Sequence, residues 1–107
     1  MLLLAVVIAG TLSTAAVAAR PTLRLSDDAP SAFRGSGFRA NEHVRVVAAV
    51  IGGARAAQRV TATAGGRFVV RFRIINANSC RGFVITAVGD RGSRATFKRA
   101  PGECPAP

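Results

Sequence analysis

Arg34-Gly-Ser-Gly-Phe-Arg-Ala-Asn-Glu-His-Val-Arg-Val-Val-Ala-Ala-Val50 is the stretch whose reading decides the fold. Gly35 and Gly37 interrupt an extended run that ends on Phe38, and glycines inside a strand mark a bulge or a close backbone approach. Arg39-Ala-Asn-Glu42 reads as a tight polar corner, and His43 to Ile51 as a long, central, Val-rich strand. Strand, corner, strand is the beginning of a small antiparallel β domain.

Outward from this corner the same pattern repeats. On the N-terminal side, Thr22–Ser26 is a short first strand with Leu23 and Leu25 out of phase with Arg24. Asp27-Asp28-Ala29-Pro30 breaks it before the second strand, Ser31–Phe38. On the C-terminal side, Gly52-Gly53 signals a hairpin. Ala54–Ala62 returns as a weaker strand whose Arg55, Gln58 and Arg59 suit a sheet edge, where charge discourages pairing with a second molecule. After a turn at Ala64-Gly65-Gly66, Arg67–Ile75 is the clearest amphipathic strand. Phe68, Val70, Phe72 and Ile74 share its inner face, and Arg71 and Arg73 its outer face. A loop at Asn76–Ser79 leads to the apolar strand Gly82–Val88. A turn at Gly89–Gly92 then precedes Ser93–Arg99, with Ala95 and Phe97 inward and Arg94, Thr96 and Lys98 outward. Seven short strands at intervals of about 8–12 residues, with no helical period, indicate an all-β, antiparallel β-sandwich; a small barrel is the alternative architecture.

Residues 1–19 stand apart from this domain. Met1–Ala9 is apolar throughout, and Ala16-Val17-Ala18-Ala19 precedes Arg20-Pro21, as in a cleavable secretory signal peptide cut after Ala18 or Ala19. No Lys or Arg precedes the apolar run, so the signal is either atypical or begins upstream of Met1. An uncleaved anchor is the competing reading, weakened by Thr11, Ser13 and Thr14 in a segment that would need about 20 strongly apolar residues. The expected product is a secreted or extracellular domain, residues 20–107, with no membrane insertion after cleavage.

Cys80 and Cys104 are the only cysteines, and an even count in an exported chain favours a disulfide over a metal or redox site. A hairpin about Asp90-Arg91 sets position 80 opposite roughly position 101, so Cys104 can fold back onto Cys80. The chain carries 15 Lys and Arg against 5 acids, a net charge of +10, and every one of those cations lies after residue 19. Such a field attracts anionic polymers through a long-range, salt-sensitive force. Arg in place of Lys, with abundant Ala, Gly and Val, also fits the coding bias of a GC-rich genome.

Gly35-Ser-Gly-Phe38, Glu42-x-Val44-x-Val46 and Thr61-Ala-Thr-Ala-Gly-Gly-Arg67-Phe68 together resemble the bacterial extracellular immunoglobulin-like domains. Those carry a Gly-x-Gly-Phe-x-Pro-Gly-Glu-x-Val-x-Val corner and a later Thr-Ala-Asp-x-x-Gly-x-Phe turn. The resemblance spans Arg20 to about Arg99 and implies a seven-stranded immunoglobulin-like β-sandwich used for presentation or adhesion at the cell envelope. Ala40-Asn41 stand where Pro-Gly is usual, and Ala64 where an Asp would cap the turn. A more distant similarity is to the secreted sandwich apoproteins that carry enediyne chromophores. Those have two disulfides closing short loops around their cleft, so the ligand is not carried over.

Catalysis finds no support in the residues. His43 is the only histidine, and its neighbour Glu42 points to the opposite face of the strand, so the two cannot cooperate as a base pair. With one His and two cysteines expected to be oxidised, zinc lacks ligands. Asp27, Asp28 and Asp90 fall in turns, and Gly35-x-Gly37 lacks the helix that a phosphate loop requires. The chain is therefore expected to be a non-enzyme with no cofactor. Its candidate site is a basic face of Arg24, Arg71 and Arg73, with Arg45 and Lys98 on the other sheet. Guanidinium groups suit bidentate contacts to phosphate or carboxylate. The partners expected are anionic envelope polymers or another exported protein. Nucleic acid is not expected, because there is no Trp or Tyr to stack on bases and the six Phe are needed inside. Two other readings are a secreted small-ligand carrier with a cleft between loops, and a cationic effector of anionic membranes, against which the placement of the apolar residues at strand-core positions and not on an amphipathic helix argues.

Overall fold

The computed structural model describes residues 20–26, 31–77 and 79–102. The segment expected to be a signal peptide, Asp27, Asp28 and Cys104 lie outside the described residues. The elements are β1 (Thr22–Leu25), β2 (Ala32–Ser36), β3 (His43–Val50), β4 (Arg55–Thr61), β5 (Phe68–Arg71), β6 (Phe83–Gly89) and β7 (Arg94–Arg99). They form two antiparallel sheets, one ordered β1-β2-β5 and the other β4-β3-β6-β7, whose inner faces share one core. This is the layering of a β-sandwich. As the sequence suggests, β3 and β6 are central and β4 is an edge.

The core follows from strand alternation. Leu23, Phe33, Phe68 and Val70 come from the three-stranded sheet, and Val44, Val46, Ala48, Phe83, Ile85 and Ala87 from the other. The phenylalanines divide between the two ends. Phe38 and Phe68 meet edge-on at one end, with ring centroids 5.0 Å apart. Toward the other end Phe33 contacts Phe83 and Phe97 at 6.0 and 5.5 Å. Gly35 is required where it stands, because a Cβ there would enter the Phe68 ring that packs over it.

The largest departure from the sequence expectation is β5, which ends at Arg71 and does not run on to Ile75. The Ile75 N–H donates to the Phe72 carbonyl at 3.2 Å, which turns the chain and resets the alternation. Ile75 is consequently the buried residue and Ile74 is only half-buried against the core. β2 similarly stops at Ser36, because Gly37 takes a positive φ of 78° and Phe38 enters the core from the loop.

Candidate anion-binding faces and the Glu42 lock

One end of the sandwich is closed by a carboxylate. Glu42 immediately precedes β3 and shares the inward parity of Val44, Val46 and Ala48, so its side chain enters the structure and is 0% exposed. Its Oε1 accepts the Arg39 N–H at 2.9 Å. Its Oε2 accepts the N–H groups of Arg91 at 2.8 Å and Ser93 at 3.3 Å. Burial alone pushes this carboxyl up, but the Ser93 side chain and the backbone N–H groups of Arg39, Arg91 and Ser93 outweigh it and bring the pKa down from 4.5 to about 2. The main chain of Glu42 is engaged as well: its N–H donates to the Arg39 carbonyl at 3.1 Å, and its carbonyl accepts from the Ala62 N–H at 2.8 Å. A Cβ at Gly89 would collide with this carboxylate, so the absence of a side chain there makes room for the lock.

Two local features fit the same corner. Asn41 has a φ of 59°, and Asn is the residue other than Gly that enters this left-handed region most readily. Downstream, the Thr63 hydroxyl accepts the Arg67 N–H at 3.2 Å and caps the turn. Arg91 adds a guanidinium bond to the Ala40 carbonyl at 3.1 Å, so the corner and the β6–β7 turn are tied from both sides. Both oxygens of Glu42 accept donors from the frame, which leaves the carboxylate ionised and structural, unsuited to serve as a base.

The two sheet faces carry the opposite arrangement. On the outer face of the three-stranded sheet, Arg24 of β1 lies directly opposite Arg34 of β2, and Arg34 lies opposite Val69 of β5. Thr22 and Ser36 form the next row and bond through their hydroxyls at 2.9 Å. With Arg67 at the rim, these residues surround an open hollow of about 760 Å³. Val69 is 62% exposed on its floor.

On the four-stranded sheet the cross-strand register sets Arg59, Arg45, Val88 and Arg94 in one row across all four strands. A second row runs Arg55, Ala49, Val84 and Lys98. Glu42 and Asp90 are the carboxylates among the described residues, and neither lies within these rows. Asp90 sits at the turn, where its Oδ1 accepts the His43 N–H at 3.3 Å. His43 is exposed, with Nδ1 3.2 Å from the Thr61 hydroxyl.

The sequence-derived candidates are only partly brought together. Arg24 and Arg71 are exposed residues of the same sheet, but Arg71 is the last residue of β5, and its carbonyl accepts a bond from the Gln58 side chain of β4. Arg73 is exposed in the turn beyond β5, so it does not project beside Arg71 from one strand as expected. Arg34 takes the place next to Arg24, and Arg67 lines the same hollow. Arg34 could have been found from the sequence by pairing the first two strands about the Asp27–Pro30 break, which sets 24 against 34. Arg45 and Lys98 lie on the other sheet as anticipated.

At the far end of the sandwich, Arg99 Nη1 donates to the Ala77 carbonyl at 2.5 Å and its guanidinium carbon stands 5.4 Å from the centre of the Phe83 ring. The Gly102 N–H donates to the Cys80 carbonyl at 2.9 Å, which brings the C-terminal segment back to the start of β6. The expected partner of Cys80 is Cys104, which is among the residues not described. A hollow of about 310 Å³ lies between the loops here, lined by Val50, Ile74, Ile75, Asn76, Arg81 and Phe83 among others. Among the described residues, no three His, Cys, Asp or Glu side chains gather as a metal site would need. Comparison of the chain with protein-family models, with curated proteins and with solved structures finds no match in any of them.

Proposed function

We propose that the chain is an exported, non-catalytic domain of immunoglobulin-like architecture that holds an anionic polymer of the bacterial cell envelope on the outer face of its three-stranded sheet. The observation that carries this reading is the Arg24–Arg34 pair directly opposed across β1 and β2, with Arg67 at the rim of the same hollow. Paired guanidiniums beside the Thr22 and Ser36 hydroxyls offer donors for phosphate or carboxylate oxygens, and the exposed Val69 accommodates an uncharged part of the polymer. The immunoglobulin-like part is supported by the order β1-β2-β5 facing β4-β3-β6-β7 and by the Glu42 lock at the corner that carries the resemblance. A Cys80–Cys104 disulfide belongs to the same reading, supported by the Gly102–Cys80 backbone bond that returns the tail.

The test is binding of residues 20–107 to purified anionic envelope polymer, with a neutral polysaccharide alongside, across a salt series. Binding that persists at physiological salt and falls about tenfold or more in Arg24→Ala/Arg34→Ala supports the reading. Binding that vanishes between low and physiological salt, or is indifferent to that double variant, removes it.

The small-ligand reading rests on a different observation, the hollow of about 310 Å³ between the loops at the Cys80 end. Its volume is at the lower limit for a small-molecule site. Protection of Arg81 and Ile75 amides on addition of a small apolar ligand, without change on the sheet faces, would favour it.

A further inference from the structure

The four-stranded sheet faces away from the three-stranded one, and its outer surface is laid out as two cationic rails with a neutral floor between them. Arg59, Arg45 and Arg94 make one rail, with Val88 in the same row. Arg55 and Lys98 end the other rail, four residues further along each strand. The row midway between them is Ala57, Val47, Thr86 and Thr96, all small or β-branched and uncharged. With strands about 4.8 Å apart, the first rail spans roughly 14 Å, and the two rails lie roughly 13 Å apart at about 3.3 Å per residue. Arg45 and Arg59 are directly opposed, an unfavourable like-charge pairing. A second copy of this chain does not suit such a surface, because two faces of one sign repel.

The geometry points to a second polymer-binding face here, so that the domain has two opposed faces and cross-links linear polyanions. This rests on the proposed function of the first face and adds valence to it. The partner has acidic groups separated by uncharged segments, as in a polyol phosphate chain: phosphates two repeats apart meet the rails, and the phosphate between them crosses the middle row where Thr86 and Thr96 stand. Because each face binds a separate strand, the domain gathers chains into a network when neither component is in large excess.

Light scattering of residues 20–107 titrated with poly(glycerol phosphate) at physiological salt tests this, with binding measured in parallel by fluorescence anisotropy. Wild type should form large complexes near charge equivalence that dissolve in excess polymer. Arg45→Ala/Arg59→Ala/Arg94→Ala should still bind, with affinity within about threefold, but lose the large complexes. A control with the same charge removed elsewhere, Arg20→Ala/Arg39→Ala/Arg81→Ala, should retain them. Loss of cross-linking in the control as in the test variant would reduce the effect to net charge and overturn the inference. Wild-type complexes that stay small while binding is tight would overturn the second face alone and leave the first intact. Failure to bind at all would remove both.

Discussion

Charge is handled in opposite ways at the ends of this sandwich and on its faces. At the corner before β3, a single negative charge is fully buried and answered by the Ser93 side chain and three backbone N–H groups, so its pKa falls to about 2. On the faces, Arg45 stands directly against Arg59 with no described carboxylate in their row, and Arg24 stands against Arg34. Removing a buried charge with matched donors destabilises the folded chain, because every donor aimed at it is orphaned. Exposed like charges raise the energy of the free protein and lower it when an anion arrives. The difference separates residues that hold the frame from residues available for function.

Glu42 gives the largest expected effect. Glu42→Ala should cost about 3–5 kcal/mol in all, because the backbone donors of Arg39, Arg91 and Ser93 each lose their acceptor, at about 1–3 kcal/mol apiece. Chemical denaturation in the cold measures it, and polymer affinity per folded molecule should not change. A loss below about 1 kcal/mol would mean that water replaces the carboxylate, and the contrast between end and face would collapse. The same group sets a pH dependence. Its folded pKa lies below the ordinary 4.5, so its contribution is complete above that pH and is lost as pH falls through about 2. Wild type should lose stability over that window and Glu42→Gln should not.

Next in size is the far end. Reduction, or Cys80→Ser, should cost about 3 kcal/mol if Cys104 closes the loop of the C-terminal segment. Free thiols in exported, unreduced protein would contradict it. A smaller effect is expected at Asn41: with φ at 59°, Asn41→Ala should cost about 1 kcal/mol and Asn41→Gly nearly nothing. Smallest, and opposite in sign, is the face. Arg45→Thr, which removes the like-charge pairing with Arg59, should raise stability by about 0.2–1 kcal/mol at low salt, and the gain should shrink as salt rises.

The fold was legible in the sequence because its signals are local. Alternation gave the strands, Gly-Gly and Asp-Arg-Gly gave the hairpins, and the apolar content of β3 and β6 gave their central places. Glu42 was missed as a buried group although its parity with Val44 and Val46 was available, because a charged residue in a polar corner reads as solvated unless its phase is followed into the strand. The extent of β5 was not legible: Phe72, Ile74 and Ile75 satisfy a strand pattern equally well, and the turn that buries Ile75 is set by the Phe72–Ile75 backbone bond. That bond separates Arg73 from Arg71. The replacement of Arg73 by Arg34 and Arg67 depends on register between strands, which no single strand encodes.

The most direct measurement is the affinity of residues 20–107 for poly(glycerol phosphate) at physiological salt. Wild type is compared with Arg24→Ala/Arg34→Ala and with a charge-matched control, Arg39→Ala/Arg81→Ala, taken off the faces. Binding that falls about tenfold or more in the first variant and within about threefold in the control is the predicted result. Equal losses in the two variants, or no binding by wild type, would show that the opposed arginines are a property of composition and not a site.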